Sequence, residues 1–346
     1  MKALRFTEPY KYSYGEVPTP ETKPDEVLIK IKRVGICGSD LELLSGEMPH
    51  IKNGFTTYPL IPGHEWSGQI VKVGSEVKRF EVGDRVVGDV SIGCGCCDYC
   101  REGKFNLCPN RVVVGSYRNK DGAYAEYMNM PYRHVYKIPD NLSYDEAALI
   151  EPAATSYYGV QRGRVSFGET VLVIGDGPIG LMAVQCAKAA GASRVLLVGS
   201  WNEKLEIGKN VGASDIFNYH NGSISTWVKS MTNGVGVDVV IESSGNSSTV
   251  NECLYSLKPG GRIVLLSLYS KYSFETRIND IIIKDCDVIG VLASRNTFRP
   301  TLAMMSNGTI KATPLITHHY KLEDFSQALK IINERKECRI KILLEP

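Results

Sequence analysis

Several features are missing from this 346-residue chain, and each absence narrows what it can be. There is no apolar run near the ~20 residues that a membrane-spanning helix needs, so no membrane partner is expected. The opening stretch MKALRFTEPYKYSYGE carries charges and a proline where a signal peptide needs an apolar core, and residence in the cytoplasm is expected. Formal net charge is only +2, with 40 Lys and Arg against 38 Asp and Glu. There is no basic run and no interleaving of basic and aromatic residues, so a nucleic-acid partner is not expected. Internal repeats and low-complexity segments are also lacking.

The chain has 43% hydrophobic and 23% charged residues, which is ordinary globular material. Its length exceeds that of a usual single domain and favours two. Ten cysteines are present, five of them between positions 94 and 108. Disulfides are rare in a reducing compartment, so metal ligation is the leading explanation.

The first 150 residues look like short strands, such as Glu26–Ile31, Gly68–Val73 and Arg85–Val87, cut by Gly, Pro, Asp and Ser clusters. From about residue 155 strands and helices alternate. ETVLVI (169–174) is a buried-strand run, 181–192 a helix and RVLLVG (194–199) a strand, followed by strands at 237–242, 261–267 and 286–291. This alternation predicts a doubly wound parallel sheet. Helices are expected at Pro300–Asn307 and Leu322–Asn333, with a final strand after them.

Cys94, Cys97, Cys100 and Cys108 follow the spacing C-x2-C-x2-C-x7-C. Four thiolates on a short loop can close a tetrahedron around zinc and leave no open position, which makes such a site structural. Cys96 falls outside this register. An iron–sulfur cluster takes the same donors and is the alternative.

A second set is dispersed: Cys37 in VGICGSD, His64 and Glu65 in IPGHEWSG, and Glu151 in LIEPAA. One thiolate, one imidazole and one or two carboxylates suit a catalytic zinc that keeps a position for substrate. Each residue alone also has a plain structural role, as a buried thiol, a core histidine, a surface glutamate or a helix-start glutamate. The third motif is Gly175-x-Gly177-x-x-Gly180, which includes Pro178 and Ile179. It follows a strand and opens a helix, the setting in which backbone N–H groups receive a pyrophosphate.

NAD-binding sheets place an Asp or Glu at the end of the second strand to hold the ribose 2′-hydroxyl. Here that place is Gly199, followed by Ser200. Gly199 leaves room for a 2′-phosphate, Ser200 can donate to it, and Lys204 can supply positive charge. NADP(H) is therefore expected to be preferred over NAD(H), although Trp201 stands at a position where arginine would help.

Taken together, CGSD, GHE, the four-cysteine lobe, DGAYAEY (121–127), VIGDGPIGL (173–181) and the closing KILLEP resemble the zinc-containing medium-chain dehydrogenase/reductase family over essentially the whole chain. The resemblance implies a GroES-like, mostly β catalytic domain formed by 1–153 and 293–346, with its zinc lobe near 90–110. A Rossmann domain at 154–292 is then inserted between them. It implies two Zn2+ per chain, a homo-oligomer (dimer or tetramer) and a small alcohol or ketone as substrate. Cys37 and His64 match the family's catalytic zinc ligands, and Glu65 with Glu151 resembles the polyol and sugar-alcohol branch. Ser39 matches the hydroxyl that begins the family's proton relay. The histidine usual three residues later is replaced by Glu42. Segments 46–58 and 292–298 are expected to line the substrate pocket. The alternatives are a simple alcohol dehydrogenase of the same family and a non-catalytic NADPH-binding sensor.

Overall fold

The structure, a computed structural model, describes residues 1–269 and 273–346. In chain order the elements that matter begin with β1 (Glu26–Gly35), α1 (Gly38–Ser45), β2 (Glu65–Val73), β3 (Arg85–Gly88), β4 (Tyr127–Pro131) and β5 (Val135–Lys137). Next come α2 (Ile150–Arg162), β6 (Thr170–Ile174), α3 (Pro178–Ala189), β7 (Arg194–Gly199), α4 (Asn202–Asn210) and β8 (Asp215–Asn218). Then follow β9 (Val237–Glu242), β10 (Leu257–Leu265) and β11 (Asp287–Gly290). The chain closes with β12 (Ile316–Lys321), α5 (Phe325–Glu334) and β13 (Lys341–Glu345).

These elements form two compact units. The first comprises Met1–Glu151, Ala293–Ser306 and Ile316–Pro346, and the second Pro152–Leu292 and Asn307–Leu315. The division differs from the sequence expectation by two residues at the first boundary, which falls after Glu151, and by the segment 307–315, which belongs with the second unit. The cause of the second difference is Gln185, buried in α3, whose amide donates to the Lys311 carbonyl (3.2 Å) and accepts from the Lys311 N–H (2.7 Å). A buried side-chain amide must meet such partners, and this one ties the segment to the helix.

In the first unit the strands run in the order β12-β13-β1-β2-β3-β5, with β4 also pairing with β1. The core under this sheet is built on Phe6, Trp66, Tyr124 and Phe325, all essentially buried. The register of β1 against β2 sets Gly35 opposite Glu65 and Val34 opposite Trp66. The end of β1 therefore delivers Cys37 beside the start of β2, where His64 and Glu65 stand.

In the second unit six parallel strands run in the order β8-β7-β6-β9-β10-β11. Their central members, TVLVI, RVLLV and VDVVIE, are near-continuous apolar runs because both faces of such a sheet are covered. The order reverses at β6, and ligands of open α/β sheets bind outside the strand ends at such a reversal. Among the described residues no helix is long and apolar enough to cross a membrane.

Candidate metal centres and dinucleotide loop

Cys37 is the N-cap of α1, and its own N–H donates to Asp40 Oδ2 at 2.9 Å. Asp40 is fully buried. It accepts from the Tyr124 hydroxyl at 3.1 Å and lies 3.5 Å from His64 Nδ1. Burial opposes charge on His64, but Asp40 and Cys37 outweigh it and hold its pKa well above the ordinary histidine range. Ser39 Oγ is 3.5 Å from His64 Nε2. Glu65, 2% exposed, lies with Oε2 2.5 Å from the Nζ of buried Lys341, which also donates to the Ile36 carbonyl at 3.0 Å. A Cβ on Gly35 would stand 2.3 Å from Glu65 Oε2, so only glycine leaves that carboxylate its place.

One donor atom from each of Cys37, His64 and Glu65 lies within 4.8 Å of the others. A half-buried thiol packed this closely against a buried imidazole and a buried carboxylate is costly to assemble, and these three are donor types that zinc takes. They fit a zinc ion with open positions. Glu151 is outside this group. It opens α2 as a buried residue, where its charge helps raise Asp89. Burial is the larger cause, and together they push Asp89 up to about 7. Asp89 Oδ1 meets the Ser91 N–H and the hydroxyl of Ser294, which lies in the expected pocket segment 292–298. Pro49–Lys52, within the other expected segment, is a single helical turn. Burial also raises the carboxyl of Glu42.

The four lobe cysteines are brought together by a short helix, Asp98–Arg101, capped by Cys97 and followed by a 3-10 turn at Phe105–Leu107. One Sγ from each of Cys94, Cys97, Cys100 and Cys108 lies within 4.8 Å of all the others. Cys96 Sγ approaches only Cys94, at 3.6 Å, and is exposed. Burial pushes the Cys100 thiol up to about 12, while backbone N–H groups of Cys96 and Cys97 draw Cys94 down to about 6. Gathering four thiolates is thus uphill without a cation, and four sulfurs complete a zinc tetrahedron.

In the second unit Gly175 has φ +124°, and a Cβ on Gly180 would be 1.9 Å from the Gly175 carbonyl oxygen. Neither position admits a side chain. Gly177 is the N-cap of α3 with no side-chain cap, Pro178 occupies the first turn, and the Ile179 carbonyl accepts from Ser156 at 2.9 Å. A Cβ on Gly177 would meet no protein atom within 4 Å. An uncapped twelve-residue helix start beside open room fits a pyrophosphate.

The space beside Gly199 and Ser200 is occupied rather than open. The donors assigned to a 2′-phosphate are already engaged, because Asp176 Oδ2 accepts from the Ser200 N–H at 2.7 Å and the Ser200 hydroxyl at 3.3 Å. Gly199 faces that same carboxyl group rather than empty space, and Lys204 Nζ lies 6.0 Å from the centre of the Trp201 ring. Sequence reasoning also passed over Asp40 and Lys341, although both sit inside quoted motifs, CGSD and KILLEP. An acid three residues past an N-cap was the available signal for Asp40.

Residues 23–140 match the alcohol dehydrogenase GroES-like domain, and 178–307 match the zinc-binding dehydrogenase family. The chain is 35% identical to sorbitol dehydrogenase of Bacillus subtilis (strain 168), covering 100% of this chain and 97% of that protein. It is 33% identical to L-threonine 3-dehydrogenase of Bacillus licheniformis, over 96% of this chain and 95% of that one. A zinc-binding dehydrogenase from Sinorhizobium meliloti 1021, solved bound to NADP, superposes with a TM-score of 0.90 at 32% identity, covering 100% and 99% of the two chains. With its donor clusters, its glycine loop and these relatives, the chain belongs to the zinc-containing, polyol-dehydrogenase-like medium-chain dehydrogenase/reductase family and is an oxidoreductase that acts on alcohols with a nicotinamide cofactor.

Proposed function

We propose that this enzyme interconverts a secondary alcohol and its ketone, with a polyol, sugar acid, sugar phosphate or cyclitol as the alcohol, and that each chain carries two zinc ions. The observation that carries this reading is the donor group of Cys37, His64 and Glu65, with Ser39 Oγ 3.5 Å from His64 Nε2. Bound there, a zinc ion would act as a Lewis acid toward the substrate hydroxyl, and the nicotinamide would exchange the hydride.

The chain's own residues hold, orient and move a proton. Asp40 fixes Cys37 through its N–H and faces His64, which sets the direction of two donors at once. Lys341 holds Glu65 by a buried ion pair, so this carboxylate shares its charge between lysine and metal. Ser39 Oγ accepts the substrate's hydroxyl proton and passes it on. Glu42 stands where the family usually has histidine, and its half-buried carboxyl, raised by burial, suits it to accept a proton nearer neutral pH than an exposed glutamate does. Glu151 stays in the proposal as a carboxylate of the outer sphere. The four-cysteine lobe holds the second zinc and does no chemistry.

A homo-oligomer, dimer or tetramer, and a cytoplasmic setting belong to the same proposal. Support for the setting comes from ten cysteines of which none is disulfide-bonded among the described residues. The choice between NADP(H), expected from Gly199 and Ser200, and NAD(H) turns on Asp176, which occupies the space beside them. The deciding experiment measures metal content and screens polyols, sugar acids, sugar phosphates and cyclitols with both cofactors. Two zincs per chain and turnover of one such class are expected. One zinc, or turnover of primary alcohols alone, would overturn the proposal.

A further inference from the structure

The register of β6 against β7 aligns Ile174 with Val198, so the glycine loop and Gly199-Ser200-Trp201 leave the sheet side by side. In a doubly wound dinucleotide site the end of this second strand faces the adenosine ribose, and a carboxylate there distinguishes NAD(H) from NADP(H). The strand itself supplies none. The glycine loop supplies one.

Asp176, between Gly175 and Gly177, turns its carboxyl group onto the end of β7. Its Oδ2 accepts from the Ser200 N–H at 2.7 Å, the Ser200 hydroxyl at 3.3 Å and the Trp201 N–H at 3.0 Å. A Cβ built on Gly199 would stand 2.5 Å from Asp176 Cβ, 2.7 Å from its Cγ and 2.6 Å from its Oδ2. The Asp176 side chain therefore fills the volume that an aspartate on β7 would itself occupy. Gly199 is small because it must admit this neighbour, and it leaves no gap for a phosphate.

On the reading of the glycine loop as the dinucleotide site, we propose that Asp176 is the cofactor-specificity residue of this enzyme and selects NAD(H) against NADP(H). Two effects act together. The three donors that would receive phosphate oxygens are spent on Asp176. Its carboxylate also stands where the dianionic 2′-phosphate would have to sit, and like charges at contact in a partly desolvated site repel strongly. Among the described residues no donor meets Asp176 Oδ1, which leaves that oxygen to accept from a ribose hydroxyl. The aspartate thus does from the first strand–helix loop what the family scheme does from the second strand.

The test is fluorescence titration of the zinc-loaded full chain with NADH and with NADPH, which needs no substrate. The wild type should bind NADH at least tenfold more tightly. Asp176→Ala should lower that ratio at least tenfold, by freeing three donors and removing the charge. Asp176→Asn keeps an acceptor for the two backbone N–H groups, so the loop should hold its wild-type thermal stability while the ratio still falls. Combining Gly199→Asp with Asp176→Gly, which also removes the Cβ that would stand 2.5 Å from the new one, moves the carboxylate back to the strand and should restore the preference for NADH. Equal or tighter binding of NADPH by the wild type, or an unchanged ratio in both single variants, would overturn the proposal. Failure of the wild type to bind either cofactor would instead overturn the dinucleotide-site reading beneath it.

Discussion

At the scale of single residues, function in this chain rests on polar groups buried at a cost. His134 is fully buried against the ring of Phe105, with centroids 4.6 Å apart, and neither ring nitrogen has a hydrogen-bond partner. Burial, helped by Arg133, pushes its pKa down from 6.5 to about 3. The folded protein therefore keeps His134 neutral, while the unfolded chain protonates it below its ordinary value. Stability from this residue is complete above pH 6.5 and is lost as pH falls toward 3, by up to about 1.4 kcal/mol per pH unit. His134→Phe preserves the ring packing and removes the proton. Its stability, from denaturant midpoints across this range, should fall less steeply with acid than that of the wild type, and parallel slopes would refute the account. The sequence exposes residues whose chemistry needs a rare type, such as Cys37, His64 and the lobe cysteines. It conceals those defined by a distant partner. Lys341 meets Glu65 across 276 positions, and Asp176 reads as filler between two glycines until the end of β7 is seen beside it.

At the scale of elements, apolar runs were legible because the parallel sheet buries both faces, so TVLVI and RVLLV had to be strands. The strand β8 was not legible, since DIFN is a half-buried edge strand with no apolar run. Helix α3 begins at Pro178, three residues before the expected start, because proline suits the first helical turn and the extended backbone of Gly177 takes the N-cap position without a side chain. The cysteine lobe is an element held by its own spacing, with only two-residue strands, Ser91–Ile92 and Val112–Val113, pairing at its base. So little regular structure cannot fold such a loop alone, and metal binding must contribute its stability directly. Cys100→Ser should therefore lose one zinc equivalent and lower the thermal midpoint by several degrees, as read by metal analysis and calorimetry. Full metal content with an unchanged midpoint would refute a closed structural site.

At the scale of the whole molecule, the expected zinc donors Cys37, His64 and Glu65 all lie in the first unit, while Gly175, Gly177 and Gly180 lie in the second. Each unit has its own sheet and its own buried core, so each can hold its group without the other's donors. Damage to the two kinds of binding should therefore separate. Cys37→Ser or His64→Ala should remove one zinc and lower turnover about a thousandfold or more, because Lewis-acid stabilisation of several kcal/mol is lost at 1.36 kcal/mol per tenfold. The affinity for reduced cofactor, measured by fluorescence titration, should stay within about twofold, since no cofactor-binding residue has changed. Gly180→Val makes the opposite case. Its side chain would start 1.9 Å from the Gly175 carbonyl oxygen, so the loop must open and cofactor affinity should fall at least tenfold with both zincs retained. If the metal-site variants weakened cofactor binding as much as Gly180→Val does, the two functions would not be divided between the units, and the assignment of zinc to one and dinucleotide to the other would fail.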